Sequence, residues 1–192
     1  MKSSASSLIT ILFSPPSPFW YELSFVAIDL GEILLASYLG ISWQAILLFF
    51  ISGIFLWSFV EYIIHRFVFH HRSQNKHVRK IVYAVHGIHH AHTKDTDKLY
   101  VPFVPAMLMK MLLLLLFYFT IGPIGFPLLA GLVTMHQFYN LIHYLIHTDA
   151  YPNNVFLNRL RNNHLKHHQG HGGKCFGVTT TLFDRLFGTY VH

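Results

Sequence analysis

Four apolar segments lie along the chain in two pairs. They cover about Leu23 to Leu39, Ile41 to Ile64, Val104 to Thr120 and Pro127 to Ile146. A helix needs roughly 20 apolar residues to cross a bilayer core, and the first segment is the weakest of the four, because Asp29 and Glu32 interrupt it. The segments of each pair join at Gly40 and at residues 121–125, where no charge occurs. The pattern therefore predicts four transmembrane helices in two tight hairpins.

The composition favours a membrane protein. Of 192 residues, 53% are hydrophobic and only 11% are charged, whereas soluble domains carry about 25% charged residues. Residues 1–18 are rich in Ser and Pro and lack a signal-peptide cleavage pattern. We interpret residues 1–18 as a flexible N-terminal lead-in and residues 19–192 as one all-α membrane domain. A single cysteine, Cys175, excludes a disulfide framework and a thiolate-rich metal site.

The basic residues predict an orientation. The net charge is +6, and twelve of the basic residues fall between the hairpins or after the second one: Arg66, Arg72, Lys76, Arg79, Lys80, Lys94, Lys98, Arg159, Arg161, Lys166, Lys174 and Arg185. By the positive-inside rule, both termini and the middle segment face the cytoplasm. We expect Lys110, one of the other two, to extend back to that surface. No nucleic-acid motif accompanies the basic residues, so no nucleic-acid partner is expected.

Ten of the 16 histidines follow four regular spacings. They form an H-x4-H pair, an H-x-x-H-H triple, an H-x3-H pair and a second triple: His65, His70, His86, His89, His90, His143, His147, His164, His167 and His168. Residues i, i+3 and i+4 share one face of a helix, so we expect each triple to direct three imidazoles at one point. One ion takes roughly three to six ligands. Ten imidazoles therefore predict a dinuclear metal site.

The predicted topology brings these histidines together. The second and fourth segments end at the same predicted surface, and each ends in a histidine pair. The two triples lie in the polar stretches just beyond. We therefore expect a cytoplasmic helical cap that holds the dinuclear site at the mouth of the helices.

The ligand type restricts the metal. Neutral imidazole suits iron, zinc, copper and nickel but not magnesium or calcium, so hydrolysis by zinc and oxygen activation by iron both remain open. A site that opens between membrane helices receives a lipid chain, whose C–H bonds offer nothing to hydrolyse. We therefore interpret the site as two iron ions, although zinc can occupy the same ligands in purified protein.

Four further polar residues could orient the imidazoles through the ring N–H that does not bind metal: His136, Asn140, Glu61 and Asp149. The first two fall on the helical stripe of the second pair, and the other two lie near a pair in sequence. The remaining histidines flank the spacings without helical register, and we interpret them as surface residues: His71, His77, His92, His171 and His192.

These motifs resemble a known family. The stretches 65–70, 86–90, 143–147 and 164–168 are similar to the histidine boxes of the integral-membrane fatty acid hydroxylase superfamily, and residues 176–180 and 183–190 resemble its C-terminal signature. With residues 97–105, the order and spacing are most similar to fatty acid 2-hydroxylases that act on sphingolipid acyl chains. The resemblance covers roughly Trp57 to Tyr190.

The resemblance implies that all ten histidines are metal ligands and catalytic residues. The expected protein is a multi-pass membrane di-iron monooxygenase that uses O2 to hydroxylate C2 of fatty acyl chains, free or in ceramide and other sphingolipids. Many members of that branch carry a cytochrome b5 domain with a His-Pro-Gly-Gly motif, which this sequence lacks. We therefore expect electrons from a separate cytochrome b5 with its reductase, or from a ferredoxin. The expected membrane is the endoplasmic reticulum in a eukaryote and the inner membrane in a bacterium.

Other functions stay open at this stage. Within the same chemistry they are a sterol-type oxidase or desaturase and a carotenoid hydroxylase. A membrane transition-metal transporter would hold its ligands near the middle of the membrane, whereas nine of the ten histidines lie at or beyond the predicted helix ends. A bis-histidine haem protein would leave both triples unexplained.

Overall fold

The computed structural model describes residues 17–96, 99–148, 154–170 and 173–192. Over these residues the protein is helical and contains no β-strand, which confirms the all-α class. The described residues form two compact units, one made of those within 17–55 and 100–137 and the other of those within 56–99 and 138–192. The predicted lead-in lies almost wholly outside the described residues.

The helices follow the apolar segments closely. In chain order they are α1 (Pro18–Tyr38), α2 (Trp43–Ile63), π1 (Ile64–Phe69), α3 (Lys76–Val82), π2 (Tyr83–Gly87), α4 (Ile88–Ala91), α5 (Phe103–Ile121), a 3-10 turn (Gly122–Ile124), α6 (Gly125–Thr148), α7 (Val155–His168) and α8 (Leu182–Leu186). Proline at the first turn suits the start of α1. Asn154 caps α7 by accepting from the backbone N–H of Phe156 at 2.9 Å.

Two helical stretches are long and apolar enough to cross a membrane. They are Trp43–Phe69 and Phe103–Thr148, each with a mean hydropathy of 2.1. A straight helix of the second stretch's 46 residues would be about 69 Å long, against a bilayer core of about 30 Å. The chain instead turns at Gly122, where φ is 74°, and Phe126 packs back against Tyr118. Leu114 packs against the apolar cluster that contains Phe126. Helices α5 and α6 therefore form a hairpin.

Glycines bring α2 and α6 into backbone contact in the first unit. A Cβ atom added to Gly131 would lie 1.9 Å from the carbonyl oxygen of Phe50, and one added to Gly53 would lie 2.1 Å from that of Leu128. Small residues at such crossings allow the close packing that membrane helices use. Larger side chains at either position would push the two helices apart.

Lys110 does not extend to a surface, so that prediction is wrong. Only 5% of the residue is exposed. Its ammonium group donates to the Asp29 carboxylate and lies 3.0 Å from Glu32 Oε1, while the Thr134 hydroxyl donates to Asp29 Oδ2 at 3.3 Å. A buried charge is tolerated when it is paired, and the two acidic residues that interrupt the first apolar segment supply that pairing. The ion pairs join α1 to α5.

The second unit carries the ends of α2 and α6 together with π1, α3, π2, α4, α7 and α8. Ile142 and Ile146 of α6, Leu160 of α7 and Val178 form its apolar core. This core packs the histidine-bearing turns of α6 against α7. It also anchors the C-terminal segment, which we define as residues 173–192.

Candidate metal centre

A π-helical turn aligns the first histidine pair. Residues five apart on an α-helix point about 140° away from each other, so His65 and His70 would diverge there. In π1 the N–H of His70 instead donates to the carbonyl of His65 at 3.3 Å, the five-residue bond that defines a π-turn. The two ring centroids lie 5.1 Å apart. The wide spacing is therefore compatible with a single site.

The outer histidines of each triple converge, one helical turn apart. The Nε2 atoms of His86 and His90 are 2.9 Å apart, and those of His164 and His168 are also 2.9 Å apart. The middle histidine of each triple does not join them.

The middle histidines reach the other triple instead. His89 Nε2 lies 3.0 Å from His143 Nε2 and 3.2 Å from His168 Nε2. His167 Nε2 lies 2.8 Å from His70 Nε2 and 3.2 Å from His90 Nε2. The expectation that each triple aims at one point is therefore wrong. Residues i+3 and i+4 project about 100° apart, and here the two directions serve two neighbouring groups.

The ten histidines form two groups of five. Cluster 1 consists of His65, His70, His86, His90 and His167, and cluster 2 consists of His89, His143, His147, His164 and His168. Within each cluster one nitrogen from every ring lies within 4.8 Å of all the others. Each cluster combines one pair, the outer two members of the triple that follows it, and the middle member of the other triple. The clusters adjoin, since the rings of His90 and His168 stack at 4.1 Å.

The spacing of these nitrogens fits a metal ion. Neutral Nε2 carries either one hydrogen or one lone pair, so hydrogen bonds alone cannot satisfy a nitrogen with two Nε2 neighbours, such as that of His86, 3.1 Å from His65 and 2.9 Å from His90. Transition ions hold imidazole nitrogen at about 2.0–2.1 Å, which places ligands at right angles about 3.0 Å apart. The observed separations of 2.8–3.2 Å match that value in both clusters.

Burial keeps the imidazoles neutral. Desolvation, together with the neighbouring imidazoles, lowers the pKa of His89 and of His90 to about 3. Desolvation by burial also lowers the pKa of His70 to about 4. It lowers the pKa of His164 and of His167 as well. Neutral rings at pH 7 keep the lone pair that a metal ion requires.

Two backbone carbonyls orient cluster 1. The ring N–H at Nδ1 of His65 donates to the carbonyl of Phe176 at 2.5 Å, and that of His167 donates to the carbonyl of Lys174 at 2.8 Å. A hydrogen bond at Nδ1 fixes the tautomer that leaves Nε2 free for a metal. Sequence reasoning missed these partners, because a carbonyl has no side-chain signature. The tail motif that begins at Phe176 was the available signal.

The predicted supporting residues have different positions. Glu61 is buried and accepts from the N–H of Val178 at 2.5 Å, the N–H of Thr179 at 3.1 Å and the Thr179 hydroxyl at 2.5 Å. It therefore holds the C-terminal segment. Asn140 is buried in the second unit, and His136 lies in the first. Their predicted role stays a prediction, and Asp149 lies outside the described residues.

Four of the five histidines interpreted as surface residues are described by the structure, and these four lie outside both clusters. The four described ones are exposed: His71, His77, His92 and His192. His171 lies outside the described residues. His71 follows His70 directly, yet only His70 turns its ring toward cluster 1.

The fold and the two clusters define a helical protein with two groups of histidines that could each hold a metal ion. Residues 50–189 match the fatty acid hydroxylase family. The chain belongs to that family of metal-dependent hydroxylases, and the resemblance seen in the sequence is confirmed.

Similar proteins carry related names. The chain is 34% identical over 145 residues to a fatty acid 2-hydroxylase of Macaca fascicularis, covering 74% of this chain and 39% of the relative. It is 34% identical to the ceramide very long chain fatty acid hydroxylase scs7 of Schizosaccharomyces pombe (78% and 44%). It is 33% identical to a dihydroceramide fatty acyl 2-hydroxylase of Arabidopsis thaliana (79% and 64%). The chain thus spans about two-fifths of the length of the first two relatives.

A solved structure shares the fold. It is described as full-length scs7p with only the hydroxylase domain visible, and it aligns with a TM-score of 0.83 at 22% identity. The alignment covers 95% of this chain and 69% of the other.

Proposed function

We propose that this chain is a membrane monooxygenase that hydroxylates C2 of fatty acyl chains, free or in ceramide and other sphingolipids. One observation carries the proposal: ten imidazole nitrogens gather in two groups of five with metal-ligand separations, in a member of the fatty acid hydroxylase family. The names of the relatives, which specify 2-hydroxylation of fatty acids and of dihydroceramide acyl groups, support the position and the substrate.

Each cluster would hold one iron ion through its five Nε2 atoms. Bound iron supplies the dioxygen chemistry that an unactivated C–H bond requires. In the overall reaction the acyl C2–H bond and O2, with two electrons and two protons, give a C2 hydroxyl group and water. Zinc also binds imidazole readily and can replace iron in purified protein without supporting the reaction.

The protein orients the imidazole rings and keeps water away from the ligand nitrogens. The Nδ1 contacts of His65 and His167 hold their rings in the metal-binding tautomer. His89, His164 and His167 are 2%, 0% and 1% exposed, so water has little access to the ligand nitrogens. Exclusion of water limits side reactions of an activated oxygen species.

The membrane arrangement that we propose has four spans, α1, α2, α5 and α6, with both termini cytoplasmic. Large apolar side chains on these helices are exposed, among them Leu34 (62%), Leu112 (62%) and Phe119 (79%). Contiguous exposed apolar surface is typical of contact with lipid. The basic cytoplasmic residues would attract an acidic electron donor, which we propose to be cytochrome b5 with its reductase or a ferredoxin.

Lipid mass spectrometry of cells expressing the chain together with a donor tests this function. We expect 2-hydroxylated acyl chains to rise with the wild type and with His192→Ala, whose side chain is exposed outside both clusters. His167→Ala, which removes a cluster 1 nitrogen, should abolish the rise. Hydroxylation at another carbon would contradict the proposed position, and full activity of His167→Ala would contradict the proposed ligand set.

A further inference from the structure

Two peptide groups of the C-terminal segment connect cluster 1 to one residue, Asp184. The carbonyl of Phe176 accepts from His65, and the N–H on the opposite side of that peptide, from Gly177, donates to Asp184 Oδ2 at 2.8 Å. The carbonyl of Lys174 accepts from His167. Because a peptide group is planar, whatever holds its N–H also fixes the direction of its carbonyl.

The second peptide is held through the backbone of the same aspartate. The N–H of Cys175, across the peptide from the Lys174 carbonyl, donates to the carbonyl of Thr189 at 2.9 Å. Thr189 in turn donates its own N–H to the backbone carbonyl of Asp184 at 2.7 Å. Asp184 therefore holds both peptides that contact cluster 1, one directly and one through Thr189.

The Asp184 carboxylate is fully used in this role. The residue is 0% exposed. Its oxygens accept from the N–H of Phe176 at 2.8 Å, the N–H of Gly177 at 2.8 Å, the amide of Asn163 at 3.2 Å and the hydroxyl of Thr189 at 2.7 Å. A buried carboxylate with four donors is a rigid attachment point. It cannot move without releasing the segment.

The local backbone needs such an attachment. Cys175, between the two peptides, has a φ of 59°, in the left-handed region that residues other than glycine rarely adopt. A conformation of this kind persists only where surrounding contacts hold it. The hydrogen bonds to Asp184 and Thr189 are those contacts.

We propose that Asp184 is a positioning residue for cluster 1: by fixing the peptides 174–175 and 176–177 it sets the ring orientation of His167 and His65, and so the metal affinity of that cluster. The inference rests on the proposed function, because it requires cluster 1 to bind a metal ion. Asp184→Asn replaces one acceptor oxygen by an NH2 group, which leaves the N–H of Phe176 or Gly177 without an acceptor. Loss of such a supporting contact weakens metal binding about 10- to 100-fold.

Glu61 provides a matched control. It is also a buried carboxylate that holds the C-terminal segment, through Val178 and Thr179. Its described hydrogen bonds go to Val178 and Thr179 and do not involve the peptides 174–175 and 176–177. Glu61→Gln therefore loosens the same segment without releasing the peptides that face the imidazoles.

The test is zinc binding by the purified full chain in detergent, measured by competition with a chromophoric chelator. We expect two zinc ions per chain for the wild type and for Glu61→Gln. Asp184→Asn should bind one ion normally and the second about 10- to 100-fold more weakly. If Asp184→Asn fails to fold, Thr189→Val removes one hydrogen bond to the carboxylate and should weaken the same ion to a smaller extent.

Double variants identify which ion is affected. In a His147→Ala background, in which cluster 2 has lost a ligand, Asp184→Asn should weaken the more tightly bound ion. In a His70→Ala background the more tightly bound ion belongs to cluster 2, and Asp184→Asn should leave its affinity unchanged. Unchanged binding in Asp184→Asn and Thr189→Val, or equal losses in Glu61→Gln, would overturn the positioning role. A wild type that binds no metal would instead overturn the proposed function itself.

Discussion

Substitution of His89 tests whether the middle histidine of a triple serves the other cluster. His89 Nε2 lies 3.0 Å from His143 Nε2 and 3.2 Å from His168 Nε2. Its sequence neighbours His86 and His90 belong to cluster 1. We therefore expect His89→Ala to weaken the ion of cluster 2, which is formed mainly by residues more than 50 positions away, and to leave the ion of cluster 1 in place.

The size of the effect follows from the number of ligands. Zinc sites with four protein ligands bind with about 10–16 kcal/mol, or roughly 3 kcal/mol per ligand. Cluster 2 offers five nitrogens, so four remain in the variant. At about 1.4 kcal/mol per tenfold change in Kd, the loss of one ligand weakens that ion about 100-fold.

Two double variants make the assay decisive. Zinc content after dialysis against a chelator should stay at one ion per chain in His89→Ala/His143→Ala, since both residues belong to cluster 2. The same measurement should approach zero in His89→Ala/His90→Ala, because these adjacent residues belong to different clusters. If His89→Ala/His90→Ala kept one ion and His89→Ala/His143→Ala kept none, the assignment of His89 to cluster 2 would be refuted.

Two further predictions concern the first unit. Lys110→Met leaves the two buried carboxylates of α1 without their cation, so the protein should lose about 3–5 kcal/mol of stability; unfolding in detergent measures this, and an unchanged midpoint would contradict the buried ion pairs. Gly131→Ala places a Cβ atom 1.9 Å from the backbone of α2, whereas Gly31→Ala meets nothing within 4 Å. The first should destabilise by about 1–3 kcal/mol and the second should not; equal midpoints would argue against the close crossing.

The sequence was sufficient for the fold class and for the family. Apolar residues are recognisable by type, and they mark the segments that avoid water. The apolar segments therefore coincide closely with α1, α2, α5 and α6. The ten histidines stood out by spacing alone, and the structure gathers all ten. The number of spans, the orientation and the metal remain predictions, because they depend on a membrane and on ions as well as on the chain.

The side-chain directions were decided by tertiary structure. Spacing gives an angle around a helix axis but not the number of sites near that helix, so the exchange of His89 and His167 could not be read from the sequence. The π-turn that aligns His65 with His70 likewise depends on packing, since an α-helix would separate the two rings.

The partners of buried polar groups are the other feature that only the tertiary structure shows. Lys110 near a helix end predicts contact with the membrane surface when it is considered alone, but Asp29 lies 81 positions away in sequence and beside it in space. The carbonyls of Lys174 and Phe176 carry no sequence signal. In each case the sequence determined which groups must be satisfied, and the tertiary structure determined which partners satisfy them, because burial energies depend on distance in space and not along the chain.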